Sequence, residues 1–212
     1  MNLSPVILDG ERITLLPMKE SHRSRLIKAA DEPRIWDYME PLLQPSDVER
    51  YIQQALQEQD SGHSLPYSVY DKESGEIVGS TRLFDISVPH RHTEIGYTWY
   101  HPRFWRTHVN TECKYLLLRY CFETLNMLRV QLKTDLRNLR SQTAIARLGA
   151  QKEGVLRQHR VLHDGYIRDS VMFSIIDSQW PDVKYRLEEY MRENLVNTVT
   201  FAGENDIITP KK

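Results

Sequence analysis

The sequence predicts a mixed α/β (α+β) fold in a single chain of 212 residues. Two patterns carry this prediction: apolar residues that recur every 3.6 positions mark helices, and alternation with period two marks strands. In chain order they give one strand, two helices, three strands, a helix, a strand, a helix, two strands and a last helix. Because this length suffices for one hydrophobic core, we expect a single domain over residues 1–195 and a loosely held tail over 196–212.

The first half of the chain contains four predicted strands and two predicted helices. The strand over residues 6–16 is interrupted at Asp9-Gly10, a dipeptide typical of turns. Ser46 and Glu49 have the spacing of a capping box, which opens the second helix. The apolar face of that helix follows a 3.6-residue period and comprises Val48, Tyr51, Ile52, Ala55 and Leu56. The other predicted elements are a helix over 19–30 and strands over 66–71, 76–86 and 93–100.

The second half begins with a helix over residues 110–125 that is apolar on most sides, which indicates cover on more than one face. A strand over 128–133 follows. Asn138 is the predicted N-cap of a short helix over 141–148, and Gly149 is placed as its left-handed C-cap. The remaining elements are two strands over 151–161 and 166–176, joined by a turn at 163–165, and a helix over 180–194.

Composition excludes several classes of protein. Hydrophobic residues make up 40% and charged residues 27% of the chain, as in ordinary globular proteins. No apolar stretch approaches the ~20 residues of a membrane helix, and the N-terminus lacks a signal pattern, so a cytoplasmic protein is expected. Cys113 and Cys121 lie ~12 Å apart in a helix, too far for a disulfide, and two cysteines are too few for a structural zinc site. No metal is expected.

Positive charge is concentrated in the middle of the chain. Residues 101–160 contain 12 basic and four acidic side chains, a net charge of +8, although the whole chain carries −1. The same region includes the central strand-helix-strand unit over 93–133, where a helix N-terminus can bind an anion. A solvated basic surface is the alternative. The dilution of these bases among apolar residues, with no zinc-finger spacing or RNP-like motif, argues against nucleic acid.

Five segments, in this order and at these spacings, form a specific set. They are Glu94-Ile95-Gly96-Tyr97, Trp105-Arg106-Thr107-His108-Val109-Asn110-Thr111-Glu112, Asn138-Leu139-Arg140-Ser141, Arg147-Leu148-Gly149-Ala150-Gln151-Lys152-Glu153-Gly154 and Arg168-Asp169-Ser170-Val171-Met172-Phe173. With them the chain resembles the GNAT acetyltransferases over about residues 9–177, most closely the branch of ribosomal-protein N-terminal (alanine/serine) acetyltransferases. The resemblance implies a splayed mixed sheet of about six or seven strands flanked by helices, and acyl transfer from acetyl-CoA to an amine.

The resemblance also implies a binding site for the CoA thioester. The loop over 105–110 would wrap the pyrophosphate, the strand end at 98–100 would offer backbone groups to the pantetheine arm, and Asn138 would hydrogen-bond that arm. Arg140 and Arg147 are candidates for the phosphates, with ordinary surface arginines as the alternative. The predicted binding residues are Thr98, Trp99, Tyr100, Trp105, Arg106, Thr107, His108, Val109, Asn110, Thr111, Asn138, Ser141 and Arg147.

The phosphate loop departs from the family pattern Gln/Arg-x-x-Gly-x-Gly/Ala, whose small residues let the backbone approach the phosphate. We assign its glycine positions to His108 and Asn110. His108 can donate a hydrogen bond to a phosphate, whereas Asn110 tolerates unusual backbone angles and can cap the helix.

Amine acylation needs a general base and a general acid. By resemblance, Ser141 takes the place of the acid, since Ile145 stands where many members have a tyrosine; a capping hydroxyl is the alternative for Ser141. The branch's glutamate base corresponds to Arg160, which is not a base at neutral pH. We therefore name Glu94 as the first candidate base. His159, which precedes Arg160 in the chain, is the second. The alternative interpretations are that Glu94 is only a charge on the strand surface and that His159 has only a structural role.

The leading hypothesis is an N-acetyltransferase that moves an acetyl group from acetyl-CoA to a primary amine by direct attack in a ternary complex. The alternative is a non-catalytic acyl-CoA-binding protein of the same fold. The sequence leaves the acceptor open among a protein N-terminus, a small amine, an amino acid and an antibiotic amine. We expect no membrane partner and either a monomer or a homodimer.

Overall fold

The structure is a computed structural model that describes residues 3–39, 47–162 and 164–203. In the described part of the chain, eight strands form one sheet in the order β1-β2-β3-β4-β5-β6-β8-β7. The parallel pair is β5–β6, and the other neighbours are antiparallel. The strands are β1 (Leu8–Asp9), β2 (Ile13–Pro17), β3 (Ser64–Asp71), β4 (Glu76–Ser87), β5 (His92–Tyr100), β6 (Arg129–Asp135), β7 (Gln151–Val161) and β8 (Ile167–Ile176).

The strand count exceeds the expected six or seven because the first predicted strand is a hairpin. Gly10 N donates to Ile13 O at 3.0 Å and closes the turn between β1 and β2. A larger residue at this turn would crowd its neighbours, since a Cβ on Gly10 would lie 2.3 Å from Glu112 Oε1 and 3.0 Å from Ile13 O. The interruption at Asp9-Gly10 is therefore confirmed, and it divides one strand into two.

Helices cover both faces of the sheet, and each face has its own hydrophobic core. One core joins α1 and α2 to Ile77 and Trp99 of the sheet. The other joins α3, α4 and α5 to the apolar side chains of β6 and β8. The helices are α1 (Arg23–Ala29), α2 (Val48–Asp60), α3 (His108–Arg119), α4 (Leu139–Arg147) and α5 (Trp180–Gly203).

Local signals identified the residues at both ends of α4 correctly. Asn138 caps α4, with its Oδ1 accepting from Ser141 N at 2.9 Å, and Gly149 has a left-handed φ of 94°. α3 starts at His108 rather than at 110 because the hydroxyl of Thr107 accepts from Val109 N. α5 continues to Gly203, beyond the predicted end at 194. Ser46 of the proposed capping box and His163 of the last turn lie outside the described residues.

The feature that positions the site is a splay between β5 and β6. The two strands pair only over residues 92–94 and 129–131. Beyond this point β5 contains a bulge at Tyr97, whose φ of 49° is left-handed. A bulge bends its strand and increases its twist. β6 instead continues its pairing with β8 as far as Asp135. The second half of β5 therefore presents an unpaired backbone edge toward β6.

Candidate functional site

A cavity of about 920 Å³ occupies the splay. Its walls are the second half of β5, β6, the start of α3, α4 and the ends of β7 and β8. Among the lining residues that the structure describes, Glu94 is the one carboxylate. The cationic residues of the lining are Arg106, Lys114, Lys133, Arg140, Arg147, Arg160 and Arg168. The cavity is therefore suited to an anionic ligand.

The cavity opens on both faces of the sheet, because it fills the gap between β5 and β6. One face is the face on which Val130 and Leu132 of β6 pack in the core with α3, and it is called the α3–α4 side. Lys133 points to the opposite face, where its Nζ lies 5.4 Å from the ring of Phe84. Phe84 in turn packs on Tyr97, which belongs to the core of α1 and α2. This second face is called the α1–α2 side.

On the α3–α4 side, the start of α3 faces the cavity through Arg106, Thr107 and Asn110. The first amides of a helix have no intrahelical partners and carry partial positive charge. Arg106 has a left-handed φ of 63°, the conformation that glycine adopts most readily. His108 and Asn110 belong to α3 itself, and Thr107 is its cap. The capping role predicted for Asn110 was therefore wrong. The left-handed residue of this loop is Arg106, whereas His108 and Asn110, which we assigned to the family's glycine positions, are helical.

An aromatic and cationic pair stands beside that helix start. The guanidinium of Arg140 lies 3.7 Å from the ring centroid of Trp105, and Trp105 Nε1 donates to Tyr100 O at 2.9 Å. Arg147 donates from Nη2 to Thr111 Oγ1 at 3.2 Å, which ties α4 to α3. Both arginines are exposed and line the cavity. Because both guanidinium groups are exposed, they are accessible to the phosphates of a ligand.

Lys114 is a buried cation in the same wall. It is 5% exposed, and its Nζ donates to Thr98 Oγ1 at 2.5 Å and to Thr81 Oγ1 at 3.3 Å. Burial lowers the pKa of Lys114 to about 8. The signal in the sequence was a lysine in a predicted helix that is apolar on most sides, and our sequence-based assignment missed it.

Glu94 lies on the α1–α2 side and is 2% exposed. Its carboxylate accepts from Gln131 Nε2 at 2.7 Å and from Lys133 Nζ at 3.1 Å. Burial raises the pKa of Glu94, and the charge of Lys133 together with these hydrogen bonds partly opposes the rise. A carboxyl with a raised pKa is a stronger base when ionised, which suits proton transfer near neutral pH.

Most of the predicted site residues meet at this cavity. Ser141 lines it at the first turn of α4, where its backbone amide is capped by Asn138. The predicted residues that line the cavity are Glu94, Thr98, Trp99, Tyr100, Trp105, Arg106, Thr107, Asn110, Asn138, Ser141 and Arg147.

Four predicted residues are placed elsewhere. His108 Nε2 lies 3.0 Å from Asp71 Oδ1 and faces a second cavity behind α3, as does Thr111. Val109 is fully buried in the core. His159 Nδ1 lies 3.0 Å from Ser170 Oγ and is not among the residues that line the splay.

Three further lining residues were given no role from the sequence. Lys133 appeared only as a polar position of an alternating strand, Tyr38 stands in a segment with no motif, and Arg168 opens one of the five family segments without an assigned function. Their positions depend on strand pairing. In the described part of the chain, no group of three or more His, Cys, Asp or Glu side chains is arranged to hold a metal ion, and no helix is long and apolar enough to cross a bilayer.

The splayed sheet with a cationic cavity at a helix start defines an acetyltransferase of the GNAT class. The sequence model of the acetyltransferase (GNAT) domain matches residues 12–151 of this chain. The chain therefore belongs to the GNAT acetyltransferase family.

Two curated proteins illustrate this relationship. The uncharacterized N-acetyltransferase p20 of Bacillus licheniformis is 27% identical over 172 residues, which cover 80% of this chain and 96% of that protein. YdaF of Bacillus subtilis (strain 168), whose name assigns it provisionally to ribosomal N-acetyltransferases, is 25% identical over 177 residues. That match covers 81% of this chain and 94% of YdaF.

Solved structures share the fold. A GCN5-related N-acetyltransferase from Brucella melitensis superposes with a TM-score of 0.80 at 28% identity, covering 88% of this chain and 85% of that one. Mycobacterium smegmatis RimJ in complex with CoA-disulfide superposes with a TM-score of 0.72 at 20% identity, covering 85% and 90% of the two chains. Both structures share the fold of this chain, and the similarity to YdaF agrees with the family branch that the sequence resembles.

Proposed function

We propose that this protein is an N-acetyltransferase that moves the acetyl group of acetyl-CoA to a primary amine in the cytoplasm. The observation that carries the proposal is the unpaired edge of β5, which faces a cationic cavity at the start of α3. Phosphates fit the helix start with Arg140 and Arg147, and a pantetheine arm fits the open edge, since its amides can pair with strand backbone.

The reaction is a direct attack of the amine on the thioester carbonyl. The new N–C bond forms, a backbone amide of β5 stabilises the negative oxygen, and the C–S bond then breaks to release CoA. An acyl-enzyme intermediate is not needed. Cys113 and Cys121 are buried, and burial raises the pKa of both thiols, which disfavours the reactive thiolate.

Two protons must move during this transfer. Glu94 is proposed to accept the proton of the attacking ammonium through water, because it lines the cavity and burial raises its pKa. Ser141 is proposed to donate toward the leaving thiolate, because it lines the cavity at the start of α4. His159 becomes the weaker candidate for the base, since its ring is turned to Ser170.

One observation favours the alternative, a non-catalytic acyl-CoA-binding protein. Lys133 Nζ lies 3.1 Å from Glu94 Oε1, and this ion pair holds the carboxylate away from the role of a free base. Binding of CoA is common to both proposals, whereas turnover belongs only to the first.

Two measurements test the proposal. Calorimetric titration with CoA should give a saturable binding isotherm, and CoA should raise the melting temperature by mass action. Thiol release from acetyl-CoA should then depend on an added amine. Absence of binding at millimolar CoA contradicts both candidates, while tight binding without thiol release for peptides, polyamines, amino acids and aminoglycosides selects the non-catalytic one.

A further inference from the structure

The bulge of β5 opens the edge of that strand, and it is held by contacts from other parts of the fold. Two residues of β5, Tyr97 and Thr98, stand opposite one residue of β4, Thr81. Tyr97 has a left-handed φ of 49°, a conformation that is costly for a residue with a Cβ. Such a conformation persists only where the surrounding structure imposes it. The contacts that impose it here come from α2 and β4.

Tyr51 of α2 holds the backbone of the bulge. Its hydroxyl donates to Tyr97 O, with 3.2 Å between the two oxygens, and Tyr51 is only 2% exposed. The accepting carbonyl belongs to the peptide unit that joins Tyr97 to Thr98. Because a peptide unit is planar and trans, its carbonyl and its N–H point in opposite directions. By fixing this carbonyl, Tyr51 also fixes the direction of the Thr98 amide.

Arg82 of β4 supports the same contact from the side of the rings. Its guanidinium carbon lies 4.2 Å from the ring centroid of Tyr51 and 4.5 Å from that of Tyr97. It donates from Nη1 to Glu58 Oε2 at 2.9 Å and from Nη2 to Tyr51 O at 3.3 Å. Arg82 is 1% exposed, and Glu58 of α2 balances its charge. A planar cation over two aromatic faces is a favourable contact, so α2, β4 and the bulge are fastened together.

The Thr98 amide lies in the part of β5 where the proposed reaction needs a hydrogen-bond donor. Thr98 lines the cavity in the half of β5 that faces β6 without pairing to it. Tyr51 and Arg82 do not line the cavity. They can therefore influence a reaction in the cavity only through the strand that they hold.

We infer that Tyr51, supported by Arg82, is a positioning residue for acetyl transfer, whose hydroxyl aims the Thr98 amide at the thioester oxygen. The inference rests on the proposed function, in which a backbone amide of β5 stabilises the negative oxygen. Such a donor acts mainly in the transition state, where the charge develops, and its effect depends on orientation in advance. The phosphates of CoA fit the start of α3 instead, so loss of the hydroxyl should lower turnover and spare CoA affinity.

Tyr51→Phe tests the hydroxyl alone, because it keeps the ring that packs on Arg82. The acceptor is the amine that gives the wild type its highest turnover among peptides, polyamines, amino acids and aminoglycosides. We expect kcat to fall about tenfold or more, while the Kd for CoA stays within about twofold of the wild type.

Tyr115→Phe is the matched control. Tyr115 is also buried, and its hydroxyl donates to Glu188 Oε1 at 2.5 Å, but it does not line the splay. This variant loses a tyrosine hydrogen bond of the same kind and should keep the wild-type kcat.

Hydrogen–deuterium exchange observes the strand without turnover. Trp99 and Tyr100 pair with β4 just beyond the bulge. Their amides should exchange about threefold faster or more in Tyr51→Phe than in the wild type, and at the wild-type rate in Tyr115→Phe.

Arg82→Lys provides a second variant. It keeps a positive charge beside Glu58 and loses the planar group over the two rings, so kcat should fall and the same amides should exchange faster.

The outcomes separate this inference from the proposed function. A wild-type kcat in Tyr51→Phe, or unchanged exchange at Trp99 and Tyr100, overturns the inference alone and leaves the N-acetyltransferase in place. An equal fall of kcat in Tyr115→Phe also overturns it, because any missing tyrosine hydroxyl would then have the same effect. If Tyr51→Phe does not fold, a wild-type kcat in Arg82→Lys overturns the inference. Absence of thiol release by the wild type with every acceptor overturns the proposed function and the inference together.

Discussion

On the α3–α4 side of the cavity Arg140 and Arg147 stand in solvent, whereas on the α1–α2 side Glu94 is buried. Arg140 and Arg147 are exposed and rest on Trp105 and on a threonine of α3. Glu94, by contrast, is 2% exposed, and its carboxylate accepts two hydrogen bonds. Exposed charges attract a ligand over a distance and are screened by salt. A buried charge is costly to leave without a partner, and Glu94 has two.

The difference suggests that the two sides of the cavity bind their ligands in different ways. The exposed side suits a ligand held by many small contributions, as a polyphosphate is, and tolerates the loss of one of them. The buried side suits a ligand recognised by a few demanding contacts. Substitutions on the two sides should therefore differ in size and in salt dependence, and the following experiments test this contrast.

Glu94→Gln should have the largest effect. If Glu94 accepts the proton, turnover falls by roughly 10²–10³, the usual contribution of a general base, and CoA affinity stays nearly unchanged. Since burial raises the pKa of Glu94, wild-type activity should rise with pH as this carboxyl ionises, and the variant should lose that limb. Steady-state kinetics from pH 5 to 9 measure both.

The matched control for this variant is Glu153→Gln. Glu153 is a paired carboxylate on β7 outside the cavity, and its removal should leave turnover intact. If Glu94→Gln retains wild-type turnover, the base is another group, and His159→Gln becomes the next variant to test.

Lys114→Met tests a buried charge on the α3–α4 side. Burial lowers the pKa of Lys114 to about 8 in the folded protein, from its usual 10.5. Above pH 8 the unfolded chain therefore binds more protons at this position, and the wild type gains stability as pH rises. Relative to Lys114→Met, its free energy of unfolding should increase by about 2 kcal/mol between pH 7 and 9.5.

Urea unfolding at several pH values measures this difference. The comparison with the variant removes the contributions of other titrating groups. A constant difference between wild type and variant over this range would mean that Lys114 keeps an ordinary pKa in the folded protein.

Arg140→Gln should weaken CoA binding by about 1 kcal/mol, or roughly fivefold, because one exposed charge contributes modestly to an anion site. The loss should shrink at 0.5 M salt, where screening is strong. Calorimetric titration measures both affinities, and Arg157→Gln serves as the control because it lies outside the cavity. A loss independent of salt would show that Arg140 acts through its packing on Trp105 instead.

His108→Ala should have the smallest effect on CoA, with affinity within about twofold of the wild type. Its ring faces Asp71 rather than the splay, so we expect the change to appear in stability. Although burial raises the pKa of Asp71, hydrogen bonds from Ser74 and His108 lower it overall, and part of that stabilisation should disappear. Stability from a lowered carboxyl pKa is present near neutrality and lost toward acid.

Thermal unfolding at pH 7 should therefore show a loss of about 1 kcal/mol, the contribution of one hydrogen bond. A clear loss of CoA affinity in this variant would mean that His108 contributes to phosphate binding, as the family resemblance predicts.

The amino-acid sequence by itself determined the element order, the residues at the two ends of α4, and the family. Caps and turns act through hydrogen bonds and dihedral angles within a few residues, so they can be recognised from the sequence alone. Examples are Asn138, Gly149 and the Asp9-Gly10 turn. The predicted position of an anion site rests on the same local rule, because a helix start always carries unpaired amides. Motifs of the GNAT family added the expectation of a splay.

Only the tertiary structure decided which charges meet. Glu94 contacts Lys133, 39 residues away, because β5 and β6 pair in parallel for three residues and then diverge. Arg160 faces Arg168 because of the register of β7 on β8. The left-handed Arg106 and the orientation of His108 toward Asp71 likewise depend on how α3 docks on the sheet. Strand pairing joins residues that are distant in the chain, and no periodicity within one segment encodes its neighbour's register.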